Sequence, residues 1–367
     1  MPSQRSLEPR VRRRRTMLAL SCGAMLAATG AVAGAQSVPA PTGGDWTAAA
    51  PLRRPARIFE ELAPLAVTLA ADFDRLRGDR GDDPPWRPAT IAVGGAPAIP
   101  LRARARGNWR RTHCVFPPLR LNFRRDTRRG TPFAGLDEPK LVSPCRDDDR
   151  SDRYVLQELM LYRVYALLTP YAFRVRLLRV TYVDAASGRQ RAVRWGFLLE
   201  EPNALAERAR GAPLKLARTA VSDLHPPTAA RMGLFQYLVG NTDWTLAGPH
   251  NLELIAIGEQ AYPVPYDFDF AGAVNAHYAT PMEGLPIRDV RNRHFRGFCL
   301  PPEAYAEAFA AIAERRGAIA ALYADEVGRL LGPDVTRQTL RYFDEFHEAA
   351  GDERRRRRII EGCLRAG

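Results

Sequence analysis

The chain has 367 residues, 46% of them apolar, and a formal net charge of +13. That length and apolar share are ample for one large or two average domains with a packed core. The positive charge does not mark a nucleic-acid binder. The chain has only two lysines, Lys140 and Lys215, its arginines are spread along the sequence, and the one basic run, Arg354 to Arg358, has no interleaved aromatics.

The N-terminus reads as an export signal over residues 1–35. Arg10 to Arg15 supply a basic region, Met17 to Val32 an Ala/Gly-rich apolar one, and Ala33-Gly34-Ala35 a small-residue cleavage site. Arg14-Arg15-Thr16-Met17-Leu18 also resembles a twin-arginine signal. Cleavage after Ala35 removes six arginines and one glutamate and takes the charge to +8. No later segment is long and apolar enough to span a bilayer. Residues 36–55 are rich in Pro, Gly, Ala and Ser and read as a linker. These features predict a periplasmic or secreted protein without a membrane span.

A strand-rich part follows. Strands are predicted over Leu65–Phe73, Ile91–Val93, Pro100–Arg106 and Leu119–Phe123, with a polar loop at Gly78–Pro85 and a turn at Arg106-Gly107-Asn108. Asp152 is placed to cap a helix that runs to Leu168 and stops before Pro170. Phe173–Val183 and Val193–Leu199 read as a hairpin around Asp184–Gly188, and Ala204–Arg210 as a short helix. Pro226 and Pro227 suit the first turn of a helix that continues over Ala229–Leu238 and ends at Gly240. Residues 302 to 350 hold two or three amphipathic helices, including Ala304–Arg315 and Val335–His347. The order predicts an α+β chain with a strand-rich N-terminal part and a helical C-terminal part. A main domain is expected over residues 56–300, with a helical extension over 301–367 packed on it.

After export four cysteines remain: Cys114, Cys145, Cys299 and Cys363. An even count in an exported protein favours two disulfides. Proximity in sequence suggests Cys114 with Cys145 and Cys299 with Cys363. There is no CxxC to suggest a structural zinc site.

The most informative stretch is Gly240 to Gly272. Asp243, Asp267, Asp269, Asn241 and Asn251 all fall in it. Between them Leu252, Leu254 and Ile255, then a turn at Gly258-Glu259-Gln260, then Tyr262, Val264 and Tyr266 form a hairpin pattern. A hairpin brings its ends together, so Asp243 and Asn251 are expected to face Asp267 and Asp269. Clustered carboxylates raise one another's pKa unless a cation compensates, which points to a metal site or acid/base chemistry.

In order and spacing, several segments resemble the CotH kinase family, secreted atypical kinases related to spore-coat protein H. They are Arg106-Gly107-Asn108, Pro118 to Phe123, Glu158 to Tyr162, Tyr182-Val183 with Gly196 to Glu200, Gly240 to Asp243, His250-Asn251 and Pro265 to Asp269. The resemblance covers roughly residues 60–300. It implies an atypical protein-kinase-like fold and phosphoryl transfer from a nucleotide, ATP with Mg²⁺ or Mn²⁺, to a protein or small-molecule hydroxyl. It implies Asp243 as the catalytic-loop carboxylate that accepts the hydroxyl proton, and Asp267, Asp269 and Asn251 as metal ligands. Glu158 becomes the helix carboxylate that pairs with a phosphate-contacting base, and Glu200 lies near the nucleotide base. The phosphate contact falls to Lys140 or Arg120, because Arg120 and Asn122 stand where relatives carry lysine.

Two other readings use the same residues. A metal-dependent phosphoesterase would take His250, Asp267, Asp269 and His277 as ligands. A non-catalytic envelope protein would bind a phosphorylated or polyanionic partner. Ser222-Asp223-Leu224-His225 offers hydrolase residue types but no GxSxG frame.

Overall fold

Alternation of apolar and polar residues closes a barrel. In β1 (Leu65–Ala71) Val67, Leu69 and Ala71 point inward, and the same period-two burial recurs in β2 (Arg87–Val93), β3 (Ile99–Ala105) and β4 (Leu119–Phe123). With β5 (Lys140–Val142), β6 (Val175–Asp184) and β7 (Gln190–Leu199) these strands form a closed seven-stranded sheet, in the order β1-β2-β3-β4-β5-β7-β6. All neighbours are antiparallel except β1 and β6, which pair in parallel with Val67 opposite Val180 and Leu69 opposite Tyr182. The interior is filled by side chains such as Leu69, Ile91, Leu101, Leu121, Phe123, Val180 and Leu198. The computed structural model describes residues 52–79, 83–107, 110, 113–214, 219–248 and 250–365. The predicted signal (1–35) and the linker up to residue 51 lie outside the described residues, as does Asn108.

Eight helices are found among the described residues: α1 (Phe73–Gly78), α2 (Asp149–Leu168), α3 (Pro202–Arg208), α4 (Pro226–Val239), α5 (Pro302–Glu314), α6 (Arg316–Ala324), α7 (Pro333–Ala350) and α8 (Glu353–Glu361). A second sheet of three strands, β8 (Ala212–Pro213), β9 (Leu252–Ile257) and β10 (Gln260–Pro265), has the order β10-β9-β8. A second apolar core joins α2, α4, the β9–β10 hairpin and the C-terminal helices.

This architecture corrects the expected kinase-like fold. The N-terminal strands do not form an open, strand-rich part beside a helical one. They curl into a closed barrel because β6, about a hundred residues later, covers the free edge of β1. Strand alternation reveals which residues face inward, but not which distant strand supplies the closing partner. The C-terminal part is not helical throughout: it holds the expected β9–β10 hairpin and, beside it, β8, which was not expected.

Smaller differences have local causes. The predicted first strand stops at Ala71, where the Asp72 carboxylate accepts from the Arg75 N–H and starts α1. The cap of α2 is Asp148, whose Oδ1 accepts from the Ser151 N–H at 2.7 Å. Asp152 turns inward instead and accepts from the Trp195 N–H at 3.0 Å. Both disulfides form with the pairing suggested by proximity, Cys114–Cys145 and Cys299–Cys363. No helix among the described residues is long and apolar enough to cross a membrane.

Candidate functional site

Helix α4 delivers Asp243. Its apolar run ends at Gly240, which caps the helix in the left-handed region at φ +68°. A β-carbon there would collide with the Tyr342 hydroxyl, so only glycine fits. Asn241 then braces the turn. Its side chain donates to the Gln236 Oε1 at 3.1 Å and accepts from the Asp243 N–H at 3.1 Å. Asn241 therefore serves the turn, while the Asp243 carboxylate is free to face the hairpin.

The predicted hairpin forms, with Ile257 opposite Gln260 and Leu252 opposite Pro265. Its ends meet: the Tyr266 N–H donates to the Asn251 carbonyl at 3.1 Å. Asn251 donates through Nδ2 to the Asp243 carbonyl at 2.8 Å and to its Oδ2 at 2.9 Å. His250 Nε2 lies 3.2 Å from Asp243 Oδ1. Both Asn251 and Asp267 adopt left-handed backbone, at φ +52° and +63°. Such conformations in non-glycine residues persist where surrounding contacts hold them, and they gather at functional sites. For Asp267 the contact is Tyr162 on α2, whose hydroxyl accepts the Asp267 N–H at 2.8 Å. Among the described residues no donor hydrogen-bonds the Asp267 carboxylate. Two residues on, Asp269 is buried and accepts from the Tyr278 hydroxyl at 3.0 Å.

The electrostatics join these groups into one cluster. Burial, then repulsion from Asp267, pushes Asp269 up to about 7. Burial also raises Asp243, with attraction to His250 opposing and repulsion from Asp267 adding. Glu158, 1% exposed on α2, is raised well above the usual carboxylate range by burial and by Asp269 and Asp267. Its Oε1 has no hydrogen-bond partner. Among the described residues Arg110 is a compensating cation: Nη1 is 3.8 Å from Asp269 Oδ2, and Nη2 donates to the Ser143 carbonyl. Burial opposes its charge, but Tyr278, Asp269, Glu158 and Asp267 outweigh this and raise its pKa.

Lys140 on β5 stands over the Tyr266 ring at 3.9 Å, a cation–π contact. Burial, then repulsion from Arg106, lowers its pKa to about 8, against attraction from Glu253 and Asp267. Arg120 is its register partner across β4 and β5 and lies 3.7 Å from Glu138. The two alternatives for a phosphate contact are thus neighbours. Glu158 has Arg110 and Arg106 as its cationic neighbours.

Other named residues fall elsewhere. Glu200 is sealed in a buried ion pair with Arg208, at 2.9 and 3.0 Å, and also accepts from the Arg174 N–H. His277 stacks on Tyr154 at 5.9 Å, beside Arg150 and Arg146. His225 caps α4 through Thr228 and stacks on Tyr262, and Asp223 accepts from the Ala220 N–H. Neither therefore forms a hydrolase triad with Ser222. Arg110 and Tyr278 belong to the cluster but were not anticipated. The one sequence signal for Arg110 was its place between Arg106-Gly107-Asn108 and Cys114.

Among the described residues no three His, Cys, Asp or Glu side chains converge as a ready metal cage. Two carboxylates, Asp267 and Asp269, with the Asn251 amide suit a smaller demand. Mg²⁺ keeps several waters and takes one or two carboxylates together with substrate phosphates. The unbonded Asp267 carboxylate fits that role. The sequence matches no family model and no curated protein.

Proposed function

We propose that this chain is an exported phosphotransferase of the CotH type, which moves a phosphoryl group from ATP to a hydroxyl on a protein or small molecule. The observation that carries this reading is the meeting of Asp243 and Asn251 with Asp267 and Asp269 at the ends of one hairpin, next to the cations Lys140 and Arg110. The arginine-rich leader and the two disulfides support a periplasmic or secreted location.

Asp243 is oriented by Asn251 and His250, and its raised pKa makes it a better acceptor for the hydroxyl proton than an exposed aspartate. Lys140 contacts nucleotide phosphates as a point charge. Asp267 and Asp269, with Asn251, would hold Mg²⁺ or Mn²⁺. A divalent ion held by them would supply positive charge against the transferring phosphoryl group. Arg110 keeps the buried Asp269 and Glu158 from repelling one another apart. The phosphoesterase reading is weaker, because His277 sits against Tyr154 and not with the carboxylates.

The test is transfer of the labelled γ-phosphoryl group of ATP to a mixed protein acceptor by the mature, oxidised chain with Mg²⁺ or Mn²⁺. Label on serine or threonine is expected; release of free phosphate alone would favour the hydrolase. Lys140 adds a pH signature. It is cationic below about 8 and neutral above, so nucleotide affinity falls as pH rises through that value. A loss of about tenfold between pH 7 and pH 9, absent in Lys140→Met, follows from single-site titration. Equal affinity across that range would remove Lys140 from the site.

A further inference from the structure

A cleft of about 390 Å³ runs between α2, the segment after Asp269 and α7. Arg150, Arg153, Arg291 and Arg341 line it, against one carboxylate, Glu345, which is already bonded to Arg293 at 3.0 Å. Among the described residues none of those four guanidinium groups is paired with a carboxylate; Asp289 accepts from the backbone N–H of Arg291, at 2.8 Å, and not from its side chain. Other arginines on the surface and in the core, such as Arg163, Arg191, Arg194 and Arg208, are paired with aspartate or glutamate. Four guanidinium groups in one small cleft repel one another unless an anion joins them.

Two of the four are held in place. Arg150 Nε donates to the Tyr154 hydroxyl at 2.7 Å. Arg291 donates to the Gly272 carbonyl at 3.0 Å and lies over the Tyr342 ring at 4.0 Å. Arg153 and Arg341 are exposed on α2 and α7. The positive potential is felt nearby, since His277 is held below its ordinary pKa by burial and then by Arg150 and Arg146.

The cleft is joined to the carboxylate cluster. Gln157 on its wall donates to the Ala273 carbonyl at 3.2 Å, one residue before Glu158. Tyr154 packs edge-on against Tyr278, whose hydroxyl bonds Asp269.

We infer that this cleft binds an acidic peptide segment of the phosphoryl acceptor and so presents a neighbouring hydroxyl to Asp243; the inference rests on the phosphotransferase reading. Guanidinium forks match carboxylates in bidentate geometry. The amides of Gln157, Asn275 and Gln338 on the same walls offer donors and acceptors for a peptide backbone. A neutral or basic peptide lacks the charge that the cleft leaves unmatched.

Fluorescence anisotropy of the mature, oxidised protein tests this with a labelled Glu/Ser octapeptide and its Gln/Ser counterpart. The acidic peptide is expected to bind at least about tenfold more tightly, with affinity that falls as salt rises. The exposed-residue variant Arg153→Glu/Arg341→Glu is expected to lose that preference. Arg354→Glu/Arg355→Glu, which reverses as much charge on the basic run of α8, is expected to keep it. Equal loss in both variants, equal binding of the two peptides, or preference for a sulfated polysaccharide over the peptide would each overturn the assignment. Nucleotide binding is measured separately on the same samples. Peptide preference without any nucleotide binding would leave the cleft standing and sink the phosphotransferase reading. Nucleotide binding without peptide preference would do the reverse.

Discussion

Asp243→Asn is expected to lower the rate of phosphoryl transfer about a thousandfold while nucleotide affinity stays within a few-fold. General-base groups contribute on the order of 10² to 10⁴ in rate, and asparagine cannot accept the hydroxyl proton. The change is close to isosteric, so the contacts from Asn251 and His250 have a partner of the same shape. Stability should not fall, because Asp243 is a half-buried carboxylate raised by desolvation and repelled by Asp267. Removing its charge relieves both costs. A purely structural Asp243 would give the opposite pattern, a lower unfolding midpoint with transfer reduced only in proportion to folded protein. Rate, nucleotide affinity and thermal midpoint on one preparation separate the two.

Arg208→Met carries the largest expected loss of stability, about 3–5 kcal/mol in urea unfolding. Arg208 and Glu200 are 3% and 2% exposed, and the guanidinium also donates to the carbonyls of Pro170 and Ala172. Methionine leaves the Glu200 carboxylate buried with only the Arg174 N–H as a partner. It also orphans two carbonyls. The double variant Arg208→Met/Glu200→Leu should recover much of the loss, since replacing both partners of a buried pair removes the stranded charge. It also decides the role of Glu200, which the family resemblance set near a nucleotide base. Unchanged nucleotide affinity in the folded double variant assigns Glu200 to structure; a large drop would return it to the site.

The residues that were legible in sequence are those whose role is local. The β9–β10 hairpin follows from alternating Leu252, Leu254, Tyr262 and Val264 about Gly258, and with it the meeting of Asn251 and Asp267. Gly240 was legible as a helix stop for the same reason. The barrel was not, because its closure depends on β1 pairing in parallel with β6, and a strand's own pattern does not name a partner a hundred residues away. Lys140 could be named as a rare lysine, yet its strand, Lys140–Val142, is three residues long and too short to show a period. Arg110 was hidden by composition. In a chain full of exposed arginine, only the fold reveals that Arg110 enters a buried carboxylate cluster.

The measurement that bears most directly on the site is calorimetric titration of the mature, oxidised protein with ATP and Mg²⁺ or Mn²⁺, beside Asp267→Ala. Among the described residues no donor bonds the Asp267 carboxylate, which sits on left-handed backbone, so its replacement removes the proposed ligand without breaking a side-chain hydrogen bond among them. Nucleotide binding that requires the metal and disappears in the folded variant is the expected result. A folded wild-type protein that binds no nucleotide with either metal, or one that binds equally well after Asp267→Ala, would contradict the account.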